Sequence, residues 1–169
     1  PPPAVISAKP ATATTAAGMA LQEREILERF RQGVIMLHAG EHDFAVTAFR
    51  RVLQLSPDMP EAHVNMGFAQ FGQGHYTVAR DFFISAIDLR PDQANAYWGL
   101  AVSLEALCDF PGARGAMRSY IHLSDPDNRF LRKAGAALME WEVAGVEGAQ
   151  GCISASGSGS VSPMGRNLK

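Results

Sequence analysis

Residues 61–91 read EAHVNMGFAQFGQGHYTVARDFFISAIDLRP, and this stretch decides the fold. Apolar and small side chains recur in it every three or four residues, first up to Phe71 and again from Ala79, which is the period of an amphipathic helix. Gly74 stands between the two runs, where the end of a helix favours a residue that tolerates positive φ. Pro91 cannot continue the second run as a helix. The stretch therefore predicts two helices joined by a short turn, and no alternating strand pattern competes with that interpretation.

The same pattern recurs along the chain at a fixed spacing of 34 residues, the distance in sequence from Ala45 to Ala79. Several rows of similar residues keep this spacing: Ala45, Ala79 and Ala113; Leu55, Leu89 and Leu123; Gly33, Gly67, Ala101 and Gly135; Phe49, Phe83 and Met117; His42, Tyr76 and Phe110; Pro57 and Pro91. Self-similarity at a fixed period indicates a repeat architecture. The small residues are expected where two helices approach closely, because a larger side chain would push the backbones apart.

Read with this period, the middle of the chain predicts an all-α solenoid. Helices are expected at about residues 22–39, 43–56, 60–73, 77–90, 94–107, 111–124 and 127–142. They form three helix–turn–helix repeats and a C-terminal capping helix, at about residues 26–59, 60–93, 94–127 and 127–142. In the third repeat Cys108 replaces the turn glycine, so that turn is expected to differ or to be strained. The last helix copies only the first half of a repeat, and its charged residues suit a terminal helix with one face in water.

The two ends differ in composition from the repeat domain, which is expected at residues 21–142. Residues 1–20 are rich in Pro, Ala and Thr and carry Lys9 as their only charge, so we interpret them as a flexible linker. They show no basic run followed by a long apolar run, so no signal peptide is predicted. Residues 143–169 are rich in Gly and Ser and have no apolar period, which indicates a flexible tail.

Composition argues against several classes of function. The chain has 169 residues, with 15 Lys and Arg against 17 Asp and Glu, so its net charge of −2 does not favour a nucleic-acid binder. No run of about 18 apolar residues occurs, so no membrane-spanning segment is predicted. The two cysteines, Cys108 and Cys152, are too few for a disulfide scaffold and lack zinc-ligand spacing.

No motif predicts catalysis, a cofactor or a metal ion. His38 and His42 are four residues apart, but Gly40 lies between them at a predicted helix end, so a shared metal is not expected. Cys108 falls in a predicted turn and, together with His122, matches no nucleophile motif. Neither a phosphate-cradling glycine loop nor a pair of catalytic carboxylates is visible. The sequence therefore predicts a protein that is not an enzyme.

A helix–turn–helix repeat of about 34 residues resembles the tetratricopeptide repeat. The second repeat carries the resemblance through Gly67, Gly74, Tyr76, Ala79, Phe83, Ala86 and Pro91. His63 stands where the family usually has Trp, and Arg29 and Gln32 occupy usually apolar places in the first repeat. The resemblance covers about residues 26–142. It implies a right-handed superhelix in which the first helices of successive repeats line a concave groove for peptide or helix segments.

The resemblance also implies which residues face that groove. The partner-binding candidates on the three repeats are Phe30, Val34, Val64, Asn65, Phe68, Phe71, Trp98 and Val102. The last helix adds a basic group, which would suit a carboxylate of the partner: Arg129, Arg132 and Lys133. The family's carboxylate clamp needs Lys and Asn where this chain has Phe30 and Val34, so that specificity is not expected. The aromatic rings are also compatible with core packing, or with a groove covered by the chain's own N-terminal segment or a second copy.

We therefore expect an adaptor or assembly chaperone that holds an apolar or amphipathic protein segment in its groove. The linker of Pro, Ala and Thr favours a bacterial envelope or secretion assembly, with a periplasmic or envelope-associated location. Chains of about this size also resemble the cytoplasmic chaperones of type III secretion translocators, which are often dimeric, so a homodimer stays open. A regulatory subunit of an enzyme and a self-associating structural scaffold are also compatible with the sequence.

Overall fold

The computed structural model describes residues 15–147 and the side chains of residues 15–145. This part of the chain contains seven helices and no strand, which confirms the predicted all-α helical-repeat solenoid. The helices are α1 (Ala16–His38), α2 (His42–Leu55), α3 (Pro60–Gly72), α4 (Tyr76–Leu89), α5 (Ala94–Ala106), α6 (Phe110–Leu123) and α7 (Leu131–Glu147). No described helix is long and apolar enough to cross a membrane.

The helices pack as three successive hairpins followed by one single helix. α1 packs on α2, α3 on α4 and α5 on α6, while α2–α3, α4–α5 and α6–α7 contacts join one unit to the next. α1 also contacts α3, and α3 contacts α5, whereas within residues 15–147 no comparable contact joins α2 to α4 or α4 to α6. The stack therefore bends towards the odd-numbered helices, and α1, α3 and α5 line its inner face.

The turns inside the three hairpins share one backbone conformation. Gly40 and Gly74 have φ angles of 79° and 80°, and Cys108 has 64° at the corresponding place. Cys108 is the one non-glycine residue with positive φ in residues 15–147. Left-handed backbone is unfavourable for a side chain with a Cβ atom. The third turn is therefore strained, as the replacement of glycine by cysteine predicts.

The first two hairpins are closed by a phenylalanine ring that lies against a glycine. A Cβ atom added to Gly33 would lie 2.7 Å from Cε1 of Phe49, and one added to Gly67 would lie 2.7 Å from Cε1 of Phe83. Both rings are fully buried. Only a glycine lets the ring approach the first helix this closely, which explains why these rows repeat.

The buried side chains form two hydrophobic clusters. The smaller one joins the first hairpin to α3 and contains Ala45, Val46, Phe49, Met66 and Ala69. The larger one runs from α3 to α7 and ends at the buried Trp141. Here Ala101 and Met117, both buried, take the places held by glycine and phenylalanine in the earlier hairpins.

Two helices differ at their ends from the sequence expectation. α1 begins at Ala16, within the predicted linker of residues 1–20, because the hydroxyl of Thr15 caps it by accepting a hydrogen bond from the Gly18 amide at 3.2 Å. α7 begins at Leu131 instead of residue 127, because side-chain turns at Asp125 and Asn128 bind the backbone first. It then runs to Glu147, into the predicted tail. The remaining parts of the predicted linker and tail, residues 1–14 and 148–169, lie outside the described residues.

Candidate binding groove

Four of the predicted partner-binding residues lie on the first two inner helices and keep part of their surface exposed. Phe30 and Val34 on α1, and Asn65 and Phe68 on α3, are half-buried. The Phe30 ring packs edge-on against Phe49 with the centroids 5.8 Å apart. Phe30, Val34 and Phe68 pack against the hydrophobic clusters and keep part of their surface accessible.

The ring of Phe68 lies deeper than a groove position implies. Its centroid is 4.9 Å from that of Phe83 on α4, in an edge-on arrangement. Asn65, on the same helix, forms no side-chain hydrogen bond with the described residues. Its amide group is therefore available to bind the backbone of a peptide.

The other four apolar candidates are core residues. Val64, Phe71, Trp98 and Val102 are 5%, 6%, 8% and 1% exposed. Neighbouring helices cover these four side chains, and their direct contact with a partner stays a prediction. Phe71, for example, packs on the ring of Tyr76 on α4 at a centroid distance of 5.1 Å.

Trp98 is covered from two sides by the C-terminal part of the domain. Its ring lies edge-on to Tyr120 of α6 at 5.0 Å and tilted to Phe130, just before α7, at 6.1 Å. Tyr120 is held in place because its hydroxyl accepts a hydrogen bond from Asn128 Nδ2 at 3.0 Å. Lys133 Nζ lies 6.0 Å from the Trp98 centroid, so this lysine and Trp98, predicted separately, do meet.

The predicted basic group lies at the edge of this cover. Arg129 precedes α7, and its guanidinium carbon is 4.8 Å from the centroid of the Phe130 ring. Arg132 is exposed and Lys133 is half-buried. None of these three cations forms an ion pair with a described carboxylate. They are therefore available for a negative charge on a partner.

Two further apolar residues, Leu27 and Phe130, have exposed side chains. Leu27 on α1 is 67% exposed and lies three residues before Phe30, which places both on one side of the helix. Phe130 is 41% exposed. The helical period identifies Leu27, whereas the position of Phe130 depends on the turn before α7, which the repeat pattern does not specify.

The described residues offer no centre for metal or thiol chemistry. They contain no group of three or more His, Cys, Asp or Glu side chains that could hold a metal ion. Cys108 is not a free thiol. His42, the first residue of α2, is half-buried, and a Cβ atom on Gly72 would collide with its ring, so it serves packing.

An ion pair joins the two helices of the first hairpin. Arg51 of α2 donates two hydrogen bonds to Glu25 of α1, at 2.7 Å from Nε and 3.1 Å from Nη2. These hydrogen bonds lower the pKa of the Glu25 carboxyl below its ordinary value and raise the pKa of Arg51. The pair stabilises the hairpin, and it leaves the inner face unchanged.

Comparison with protein families gives two matches. A profile described as TPR repeat matches residues 36–74, and one described as Tetratricopeptide repeat matches residues 65–128. Together they cover residues 36–128, from the end of α1 to the turn before α7. No curated protein matches the chain in sequence.

Solved structures share the fold at low sequence identity. A type III secretion complex from Aeromonas hydrophila gives a TM-score of 0.72 at 18% identity, over 79% of this chain and 91% of that one. The TPR2B domain of yeast Sti1, solved with an Hsp70 peptide, gives 0.67 at 15% identity over 72% and 98%. The first TPR domain of Spaghetti (RPAP3), bound to the HSP90 peptide SRMEEVD, gives 0.66 at 20% identity over 73% and 97%.

Proposed function

The chain belongs to the tetratricopeptide-repeat family, and on that premise we propose that it is a protein-interaction adaptor or assembly chaperone that binds a segment of a partner protein along α1, α3 and α5. The observation that carries this proposal is the inner face between α1 and α3. There, half-buried apolar side chains lie on the same two helices as Asn65, whose amide has no hydrogen-bond partner among the described residues. Solvent contact with such a surface is unfavourable, and a bound segment removes it.

The surface favours an apolar or amphipathic segment over a purely acidic one. Leu27, Phe30, Val34 and Phe68 supply apolar contact on α1 and α3. Asn65 supplies hydrogen bonds to the segment's backbone. The neighbours from Sti1 and Spaghetti were solved with chaperone-derived peptides. At the places where such clamps need Lys and Asn, this chain has Phe30 and Val34, so its partner is of a different class.

The cations before and on α7, which pair with no described carboxylate, set the direction of the segment. Arg129 and Arg132 are exposed, and Lys133 lies over Trp98 at the far end of the inner face. A carboxylate near one end of the partner segment would pair with them, which fixes orientation more than affinity. Trp98 and Val102 contribute through the shape of the surface, since both are buried.

A selection from a phage-displayed peptide library tests the proposal. Binders selected on the full chain are measured again on an Asn65→Ala, Phe68→Ala double variant and on a control, Thr77→Ala, which alters an exposed residue of α4. We expect apolar or amphipathic sequences whose affinity falls about tenfold or more on the double variant and stays unchanged on the control. Binders insensitive to the double variant would remove the inner face from the function.

A second candidate follows from the Aeromonas hydrophila neighbour. The fold similarity to a type III secretion complex favours a cytoplasmic chaperone of secretion translocators as the alternative to an envelope or secretion assembly factor. Co-expression of the chain with a type III translocator distinguishes the two. A stoichiometric soluble complex that the double variant loses supports the translocator chaperone, and a translocator that stays unbound supports the envelope role.

A further inference from the structure

The last helix repeats the first half of a hairpin without its second half. Gly135 of α7 stands one full repeat after Ala101, at the place that Gly33 and Gly67 hold on α1 and α3. At Gly33 and Gly67 an added Cβ atom would meet a phenylalanine ring at 2.7 Å. At Gly135 an added Cβ atom would meet nothing within 4 Å. The place that a ring fills twice in this molecule is therefore open on α7.

The residues around Gly135 on α7 stand at the places of α3 residues that pack on α4. On α3, Phe68 packs on Phe83 of the following helix at 4.9 Å. The residue at the place of Phe68 on α7 is Ala136, and it is exposed. One turn later on α7, Met139 stands at the place that Phe71 holds on α3. Phe71 packs on Tyr76 of α4. Met139 is 74% exposed, so the surface that receives a second helix on α3 faces solvent on α7.

We propose that this open face of α7, defined by Gly135, Ala136 and Met139, is a docking site for an amphipathic helix of another protein, which completes the fourth hairpin. This face stands at the same repeat positions as the face of α3 that receives α4, so the α3–α4 interface indicates which residues the occupant presents. The occupant presents a small residue and, four positions later, a large aromatic ring, as Ala79 and Phe83 do on α4.

The size of the ring follows from pairs already present in the molecule. Where the first helix carries glycine, the second carries phenylalanine, as in Gly67 with Phe83. Where it carries Ala101, the second carries the slimmer Met117. Because α7 has a glycine at this place, Gly135, we expect the occupant to carry an aromatic ring opposite it. Exposed Arg132 on the same helix adds a place for a carboxylate of the incoming helix.

The helices among residues 15–147 do not supply such a helix. The helices that carry the small residue and the ring already bury them in their own hairpins, since Ala45, Phe49, Ala79 and Phe83 are all 0% exposed. A folded second copy has the same residues buried. Neither the described helices nor those of a folded second copy can therefore be the occupant.

A synthetic peptide that copies α4 tests the docking site. The probe contains residues 76–90, carries a fluorescent label, and is stapled through its exposed positions 77 and 81 because a short free helix is marginal in water. Its binding to the full chain is measured by fluorescence polarisation. We expect saturable binding that weakens about tenfold or more when the peptide carries Phe83→Ala, as for the loss of an aromatic anchor.

Two matched variants of the chain locate the binding. Gly135→Leu fills the open place, while Gly115→Leu puts the same side chain on an exposed position of α6 that is also clear of neighbours. Both replace a helical glycine by a better helix former, so both variants are expected to unfold at the same or a higher temperature than the parent. We expect Gly135→Leu to weaken peptide binding about tenfold or more, and Gly115→Leu to leave it unchanged.

Three results would overturn the assignment. The first is an absence of saturable peptide binding. The second is binding that survives Gly135→Leu, since the peptide then occupies another place, such as the one α4 holds in its own hairpin. The third is an oligomer of the parent chain, seen by sedimentation, that Gly135→Leu converts to monomer, which would make a second copy the occupant. Peptide binding that is lost in Gly135→Leu but kept in the Asn65→Ala, Phe68→Ala variant separates this site from the inner face.

Discussion

The first and second hairpins have the same architecture, yet the same repeat positions are surface in one and core in the other. Gln32 and Ile35 of α1 are exposed. Their counterparts on α3, Met66 and Ala69, are buried. The difference is that α2 packs on α3, whereas no described helix precedes α1. A position in a repeat thus acquires its role from the neighbouring hairpin as much as from its own.

The largest expected effect comes from removing the phenylalanine ring that closes the first or the second hairpin. Phe83→Ala should lower the free energy of unfolding by ~3–5 kcal/mol, since the ring is fully buried and leaves a cavity. Phe83 lies against glycines of two hairpins, Gly67 and Gly99. Phe49→Ala should therefore cost less than Phe83→Ala in urea unfolding. An equal or larger loss for Phe49→Ala would contradict the comparison of the two hairpins.

The comparison is tested more sharply by exchanging residue types between the two hairpins. Met66→Gln gives α3 the residue that α1 has at this place, and it buries an amide in the smaller cluster, so we expect a loss of ~1–3 kcal/mol. The reverse change, Gln32→Met, lies on the surface and should stay within ~0.5 kcal/mol of the parent. Both values follow from denaturant unfolding. Similar losses of unfolding free energy for the two variants would show that the position within the repeat, and not the neighbouring hairpin, decides burial.

Helix caps at the end and in the interior of the stack give a smaller contrast. Asp109 accepts a hydrogen bond from the Gly112 amide at 2.9 Å and caps α6, which is packed on both sides. Asp109→Ala should cost ~1 kcal/mol of global stability. Thr15→Ala removes the cap of α1 and should chiefly increase hydrogen exchange in the first turns of α1, because a terminal turn opens locally. A global loss for Thr15→Ala as large as that for Asp109→Ala would rule out this difference.

The smallest effect concerns the ion pair of the first hairpin. Arg51→Gln should raise the pKa of Glu25 towards its ordinary value, because the hydrogen bonds that lower it are lost. A carboxyl whose pKa is lower in the folded chain stabilises it above the unfolded pKa, and this contribution disappears as pH falls through the folded pKa. The variant should therefore lose less stability than the parent on acidification below the ordinary value of 4.5. Titration of Glu25 by NMR, with Arg50→Gln as control, measures the shift.

The sequence predicted the helices and their pairing because both depend on local patterns. The repeated glycine and phenylalanine, such as Gly67 and Phe83, specify how closely the two helices of a hairpin approach. Pro91 marks where the second helix ends, and neither prediction needs tertiary information. The start of α7 was predicted too early, at residue 127. Side chains of Asp125 and Asn128 bind nearby backbone amides there and compete with the helix.

The candidate site was less predictable than the fold. Repeat position identifies the helix face on which Trp98 and Val102 lie, but their burial depends on side chains from other helices. Trp98 is covered because Tyr120 and Phe130 lie against it, and these come from α6 and from the turn before α7, not from its own helix α5. Whether an aromatic residue at a groove position is accessible is therefore a tertiary property.

Because every extensive contact among the described helices joins two that are adjacent or one apart in the chain, assembly needs little long-range search. Such a topology has a low contact order, which is associated with folding in microseconds to milliseconds. Folding can nucleate in any hairpin and spread to its neighbours. During synthesis, α1 and α2 can therefore dock before α5 has left the ribosome, and each later hairpin condenses on one already formed.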